Sequence, residues 1–172
     1  MSYARFGAMI ATSTLVMFAL TYLNVYAVDH IFFSQTRAWM ALLMGAVMAT
    51  IMLLFMWSMY KNKGTNLAIL AVSVLVFVAS LFLMRSQDTV ADVDYMKAMI
   101  PHHSIAILTS TQAHIRDPEV RELADQIIEA QVKEIAEMKR LIARLEDAPS
   151  APEAPDLPPL DPSSVQTEAA PE

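Results

Sequence analysis

Three stretches of the chain contain no Asp, Glu, Lys or Arg: Phe6 to Val28, Ala38 to Tyr60 and Gly64 to Met84. Each is about 20 residues, the length at which an α-helix rising about 1.5 Å per residue crosses ~30 Å of hydrocarbon. A cleavable leader would have one shorter apolar core and no further spans, so all three are predicted as transmembrane helices. After Arg85 the pattern changes. Val93, Met96, Ile100, His103 and Ile107 recur at helical spacing, and so do Leu123, Ile127, Ile128, Ile135, Met138 and Ile142. Between the two runs lies Ile115-Arg116-Asp117-Pro118. Asp117 suits an N-cap, Pro118 the first helical position, and Glu119 the positive end of the helix dipole. So short a turn makes the two helices antiparallel neighbours. From Pro149 onward, seven of the nine prolines stand among Ala, Glu, Asp and Ser, with too little apolar surface to fold. The predicted architecture is all-α: a three-span transmembrane domain (1–86), a two-helix hairpin domain (87–147) and a disordered tail (148–172).

Composition sharpens this division. The chain is 55% hydrophobic and 17% charged, with a mean hydropathy of +0.39, against roughly 45–50% and ~25% for soluble domains. A net charge of −6 and no basic stripe exclude nucleic acid as the partner. Cysteine is absent, which removes disulfides and thiolate metal sites; 13 methionines and 4 histidines remain for soft-metal chemistry. The lipid bilayer is the first partner. Arg5 precedes the first span, and Lys61 and Lys63 link the second to the third. Counting these as cytoplasmic puts the N-terminus inside and the Asp29–Arg37 loop and everything after Arg85 outside. Trp39, Trp57 and Tyr60 flank the second span as interfacial aromatics.

The second span carries Met40, Met44, Met48, Met52 and Met56, every fourth residue, with Met59 beyond. Four residues turn a helix by about 400°, so these thioethers form one slowly drifting ridge. Ala41, Gly45 and Ala49 form a small-residue row on a neighbouring face, suited to close helix approach. The ridge reads as adaptable packing material, or as a ladder of Cu(I) ligands.

In the hairpin, a register centred on Ile115 sets His103 level with Ile128 and Gln131, and Met96 level with Glu134 and Met138. Met96, Met99 and His103 share one face; Gln131, Glu134 and Met138 share the facing one. Singly, each methionine reads as core. Glu134 does not, because a carboxylate on an apolar face needs a partner. His102 points about 100° away from His103, and His114 falls at the end of the first helix, where a protonated imidazole would complement the dipole. Pro101 predicts a kink or restart just before His102. Two helices cannot bury both apolar faces alone, so a homodimeric four-helix bundle, or docking on the spans, is expected.

The segments YMKAMIPHH and DPEVRELADQIIEAQVKEIAEMKRLI resemble the bacterial domain of unknown function 305 family, over Asp92 to about Arg144. The resemblance implies a ferritin-like helical domain in a membrane-anchored protein that handles periplasmic copper or silver. It implies metal binding by Met96, Met99, His102, His103 and Met138, with Glu134 close by. Many members carry Asp-Met where this chain has Leu108-Thr109; His114 is the candidate replacement ligand. A di-iron oxidase is excluded, since no Glu-x-x-His occurs, and no nucleophile elbow supports a hydrolase. The expected function is therefore non-enzymatic copper binding, favouring Cu(I), by a homo-oligomer or part of a larger membrane complex. The alternative is a structural accessory subunit whose methionines only pack.

Overall fold

A computed structural model describes residues 2–151 and 154–160. In chain order its helices are α1 (Tyr3–Leu20), α2 (Gln35–Phe55), α3 (Lys63–Ser86), α4 (Asp92–Gln112) and α5 (Pro118–Asp147), with short 3-10 turns at Val28–His30 and Trp57–Met59. Among the described residues every regular element is helical, and α1, α2 and α3 are long and apolar enough to cross a membrane. Each of these three begins at a polar cap: Ser2 Oγ accepts the Ala4 N–H, Ser34 Oγ that of Arg37, and Asn62 Oδ1 that of Thr65.

Two of the helices stop earlier than their apolar runs do. The first run reaches Val28, but α1 ends at Leu20. Arg37 donates to the Thr21 carbonyl at 2.7 Å and stacks its guanidinium 4.8 Å from the Tyr22 ring centre, while Tyr22 Oη accepts the Ser34 N–H. The chain after Leu20 is thus folded back on the start of α2. The second run reaches Tyr60, but α2 ends at Phe55. Tyr60 is buried against the rings of Tyr3 and Phe6, 4.9 and 5.6 Å away. Its carbonyl accepts from Asn66 Nδ2, and Tyr3 Oη donates to Asn66 Oδ1 at 2.7 Å. A fully buried amide near the end of an apolar helix is thereby satisfied.

α1 and α3 both pack on α2. The small-residue row is the buried one: Ala41, Gly45 and Ala49 lie against neighbours, and a Cβ added at Gly45 would collide with Thr14 Oγ1 of α1. Between α1 and α3, over this row, an open apolar groove of about 790 Å³ remains. The methionine ridge is divided, with Met52 and Met56 packed against the core of Phe6, Ala49, Leu53 and Tyr60. Met44, Met48 and Met52 line a separate open groove of about 480 Å³, and Met40 is 43% exposed.

α3 ends at Gln87, whose φ of 58° turns the chain toward α4. α4 runs unbroken through Pro101, which is buried, so of the kink or restart expected before His102 the restart does not occur. Asp117 caps α5 through the N–H groups of Glu119 and Val120, with Pro118 in the first turn, as the sequence indicates. Met96, Ile100, Ile107, Ile135 and Ile142 form the core between α4 and α5. Lys97 meets Glu146 at 2.7 Å, His103 meets Glu134 at 3.0 Å, and Arg121 donates to the Ser110 carbonyl. His103 therefore faces Glu134, one turn beyond the Ile128 and Gln131 with which the expected register set it level. The offset has a simple cause: side chains lean toward the N-terminus of their own helix, so tips meet between residues whose Cα atoms have passed one another.

The pair α4–α5 also rests on the segment between α1 and α2 and on the first residue of α2. Tyr26 N–H donates to Ser104 Oγ at 2.8 Å, Lys139 binds Asp29 at 2.6 Å, Gln35 donates to Asp94 at 2.9 Å, and Phe32 packs on the α4–α5 core. Residues 148–151 and 154–160 are outside helix and strand and exposed. Of the tail expected to be disordered, residues 152, 153 and 161–172 lie outside the described residues.

Candidate metal site

The seven candidate ligands fall into three places. Met96 is 6% exposed in the α4–α5 core, and Met138 packs against the same cluster. Both are held as core side chains. His103 sits one helical turn beyond half-buried Met99 and faces Glu134 across the helix pair. His102 is exposed, its ring 6.3 Å from that of His103 and tilted by 58°. His114 is exposed and lies past Ala113, the C-cap of α4, so it belongs to the link before α5 and not to the helix end.

His103 and Glu134 are the chemically distinctive pair. His103 Nδ1 is 3.0 Å from Glu134 Oε2; the nitrogen is buried and makes no well-aligned hydrogen bond, so the two groups lie in close approach without a formed bond. The same oxygen accepts from Gln131 Nε2 at 3.2 Å. Burial pushes the His103 pKa below the ordinary imidazole value; Glu134 opposes that shift and His102 adds to it. At neutral pH the ring is therefore uncharged. A carboxylate beside Nδ1 is the usual orienting partner of a ligand histidine, and it leaves Nε2 for a metal. Among the described residues no three His, Asp or Glu side chains converge on one point. Further donors must come from thioethers or from another molecule.

Sequence reasoning passed over His30 and Ser104. Ser104 is fully buried and follows His103; its Oγ lies 2.9 Å from His30 Nδ1 and accepts the Tyr26 N–H. After accepting the Tyr26 N–H, the hydroxyl still has one lone pair and its own hydrogen, so it can pair with either tautomer of His30. Burial lowers the His30 pKa, Lys139 lowers it further, and Asp29, 4.0 Å from Nε2, opposes. A lone histidine in a short link has no periodicity to flag it. The buried serine carries a weak signal, a hydroxyl on the apolar face of α4.

Residues 83–170 match the family model described as Domain of unknown function (DUF305). The chain belongs to this family. The DUF305 region begins at the end of α3, takes in all of α4 and α5, and continues into the tail. An uncharacterized protein of Acanthamoeba polyphaga mimivirus is 31% identical over 86 residues, 49% of this chain and 57% of that protein. The chain thus spans less than two thirds of that relative. No solved structure matches.

Proposed function

We propose that this DUF305 protein is a membrane-anchored binder of copper ions, Cu(I) above silver, serving metal handling and not catalysis. The observation that carries the reading is His103: a part-buried imidazole whose Nδ1 lies 3.0 Å from Glu134 Oε2, with Met99 one turn before it on the same helix. Imidazole and thioether without thiolate suit Cu(I), and thioethers resist oxidation outside the cytoplasm better than free thiols. In this reading α4 and α5 are an antiparallel, ferritin-like hairpin on a three-span anchor, and the chain beyond Asp147 is a solvated tail. Arg5, Lys61 and Lys63 lie on the cytoplasmic side of a bacterial inner membrane, and the hairpin lies in the periplasm. The burial of Met96 in the hairpin core, with Met138 packed against it, favours the second reading, a structural subunit of a larger membrane complex.

Titration of the purified protein with Cu(I) against a competing chelator separates the two. His103→Ala with Met99→Ala is expected to lower affinity at least tenfold, while Met96→Leu leaves it near the starting value. Equal affinity in all three proteins would leave only the structural reading. A reporter active only outside the cytoplasm, fused after Glu172, is expected to be active; a silent one reverses the orientation.

A further inference from the structure

The groove between α1 and α3 is floored by α2 and open to the outside of the bundle. Its α1 wall runs from Tyr3 to Leu15 and its α3 wall from Thr65 to Val76. Both walls start at the same end of the bundle and extend about 17 Å along their helices. That is close to half of the ~30 Å hydrocarbon thickness, the depth of one leaflet. A spanning helix needs the whole thickness; the acyl chains of one leaflet need half. Small side chains keep the groove open: Gly45, Ala46 and Ala49 make its floor, and a Cβ added at Gly7 would meet nothing within 4 Å.

The end at which the groove starts is cationic. Tyr3 Oη lies 3.1 Å from the Asn62 carbonyl oxygen, which ties the first turn of α1 to the link between α2 and α3. Lys61 and Lys63 flank Asn62, and Arg5 stands two positions after Tyr3. All three are exposed, and among the described residues none is in an ion pair. Before Asp88 the chain has one acidic residue, Asp29, and that one binds Lys139 beyond the opposite end of α1. α1 and α3 both begin at the rim, so the positive ends of their dipoles lie there too. The rim carries three positive charges that no described side chain offsets.

We propose that this groove is the site of an anionic phospholipid, with acyl chains between α1 and α3 and the phosphate at the Arg5, Lys61 and Lys63 rim. None of the three cations lines the groove itself. Their long stems carry charge to the level of the headgroups, as Lys and Arg do near the ends of spanning helices. Length selects acyl chains over a fourth helix, and charge selects an anionic headgroup over a zwitterionic one. The site is independent of the copper reading and of which way the spans point.

The test uses the purified full chain in detergent and native mass spectrometry, with phosphatidylglycerol and phosphatidylcholine of identical acyl chains as probes. Wild type is expected to hold one phosphatidylglycerol at least tenfold more tightly than one phosphatidylcholine. Gly7→Leu grows into open space in the groove and should lower affinity for both lipids at least tenfold. Ala68→Leu, on the α3 wall, should do the same. Lys61→Gln with Lys63→Gln should bring phosphatidylglycerol down to the level of phosphatidylcholine and leave the latter unchanged. Val74→Phe alters an α3 residue that is 59% exposed and off the groove, and should match wild type. Equal wild-type affinity for the two lipids would overturn the anionic headgroup. Unchanged binding in Gly7→Leu and Ala68→Leu, or an equal loss in Val74→Phe, would overturn the groove as the site. A chain mass that doubles without lipid, and returns to one copy in Gly7→Leu, would make the groove a helix interface instead.

Discussion

Ser104, fully buried on α4, accepts the Tyr26 N–H of the α1–α2 segment at 2.8 Å, across 78 positions of sequence. It is the one buried hydroxyl on α4, and two groups from outside the helix depend on it. Ser104→Ala leaves both the Tyr26 N–H and His30 Nδ1 without their partner. The expected cost is about 1–3 kcal/mol, the price of stranding a buried polar group. It should appear as faster amide exchange at Tyr26 through Ser34, with α1, α2 and α3 unchanged.

Acid should loosen the same joint. His30 is held neutral by burial and by Lys139 of α5, with Asp29 the only opposing group. Its folded pKa is depressed, so the unfolded chain binds the extra proton first. Stability is fully present above the ordinary imidazole value of about 6.5 and is lost as pH falls below it, down to the lowered folded value. His30→Gln keeps an acceptor without the titration. Thermal midpoints from pH 7.5 to 5 should fall less steeply for this variant than for wild type, and parallel curves would refute the assignment. The decline that remains belongs to His103, shifted in the same direction.

Gly45 faces Thr14 so closely that any Cβ there meets the hydroxyl. Gly45→Val should separate α1 from α2 and cost about 1–3 kcal/mol, as overpacking does. Thr14→Ala in the same chain should recover part of the loss. Melting in detergent measures both, and an additive double variant would show that the two residues do not touch.

The methionine ridge gives the opposite expectation. Met44 and Met48 face an open groove, and Leu keeps their volume and apolarity. Met44→Leu with Met48→Leu should cost under about 1.5 kcal/mol and leave copper resistance of cells unchanged. Reduced copper movement at normal protein level would make the ridge a relay.

The features legible in the sequence are those set by neighbours along the chain. The three apolar runs, the Asp117-Pro118 start of α5 and the facing of His103 away from His102 all follow from local periodicity and capping. Those decided by distant residues were not. The ends of α1 and α2 depend on Arg37 and Asn66 reaching across the bundle. The partner of His103 depends on the lean of side chains across two helices, which a count of residues about Ile115 ignores. His30 entered no motif, because its meaning comes from a serine on another helix.

The joints at Ser104 and Lys139 also bear on the order of assembly. Tyr26 precedes Ser104 by 78 positions, and Asp29 precedes Lys139 by 110. A chain made from its N-terminus has therefore completed the receiving segment, with its two flanking helices, long before the hairpin exists. α4 and α5 can zip together through nearby contacts and then settle on a platform already built. Docking joins residues 78 and 110 positions apart, and a delay there would leave the α4–α5 pair tethered beside the first three helices.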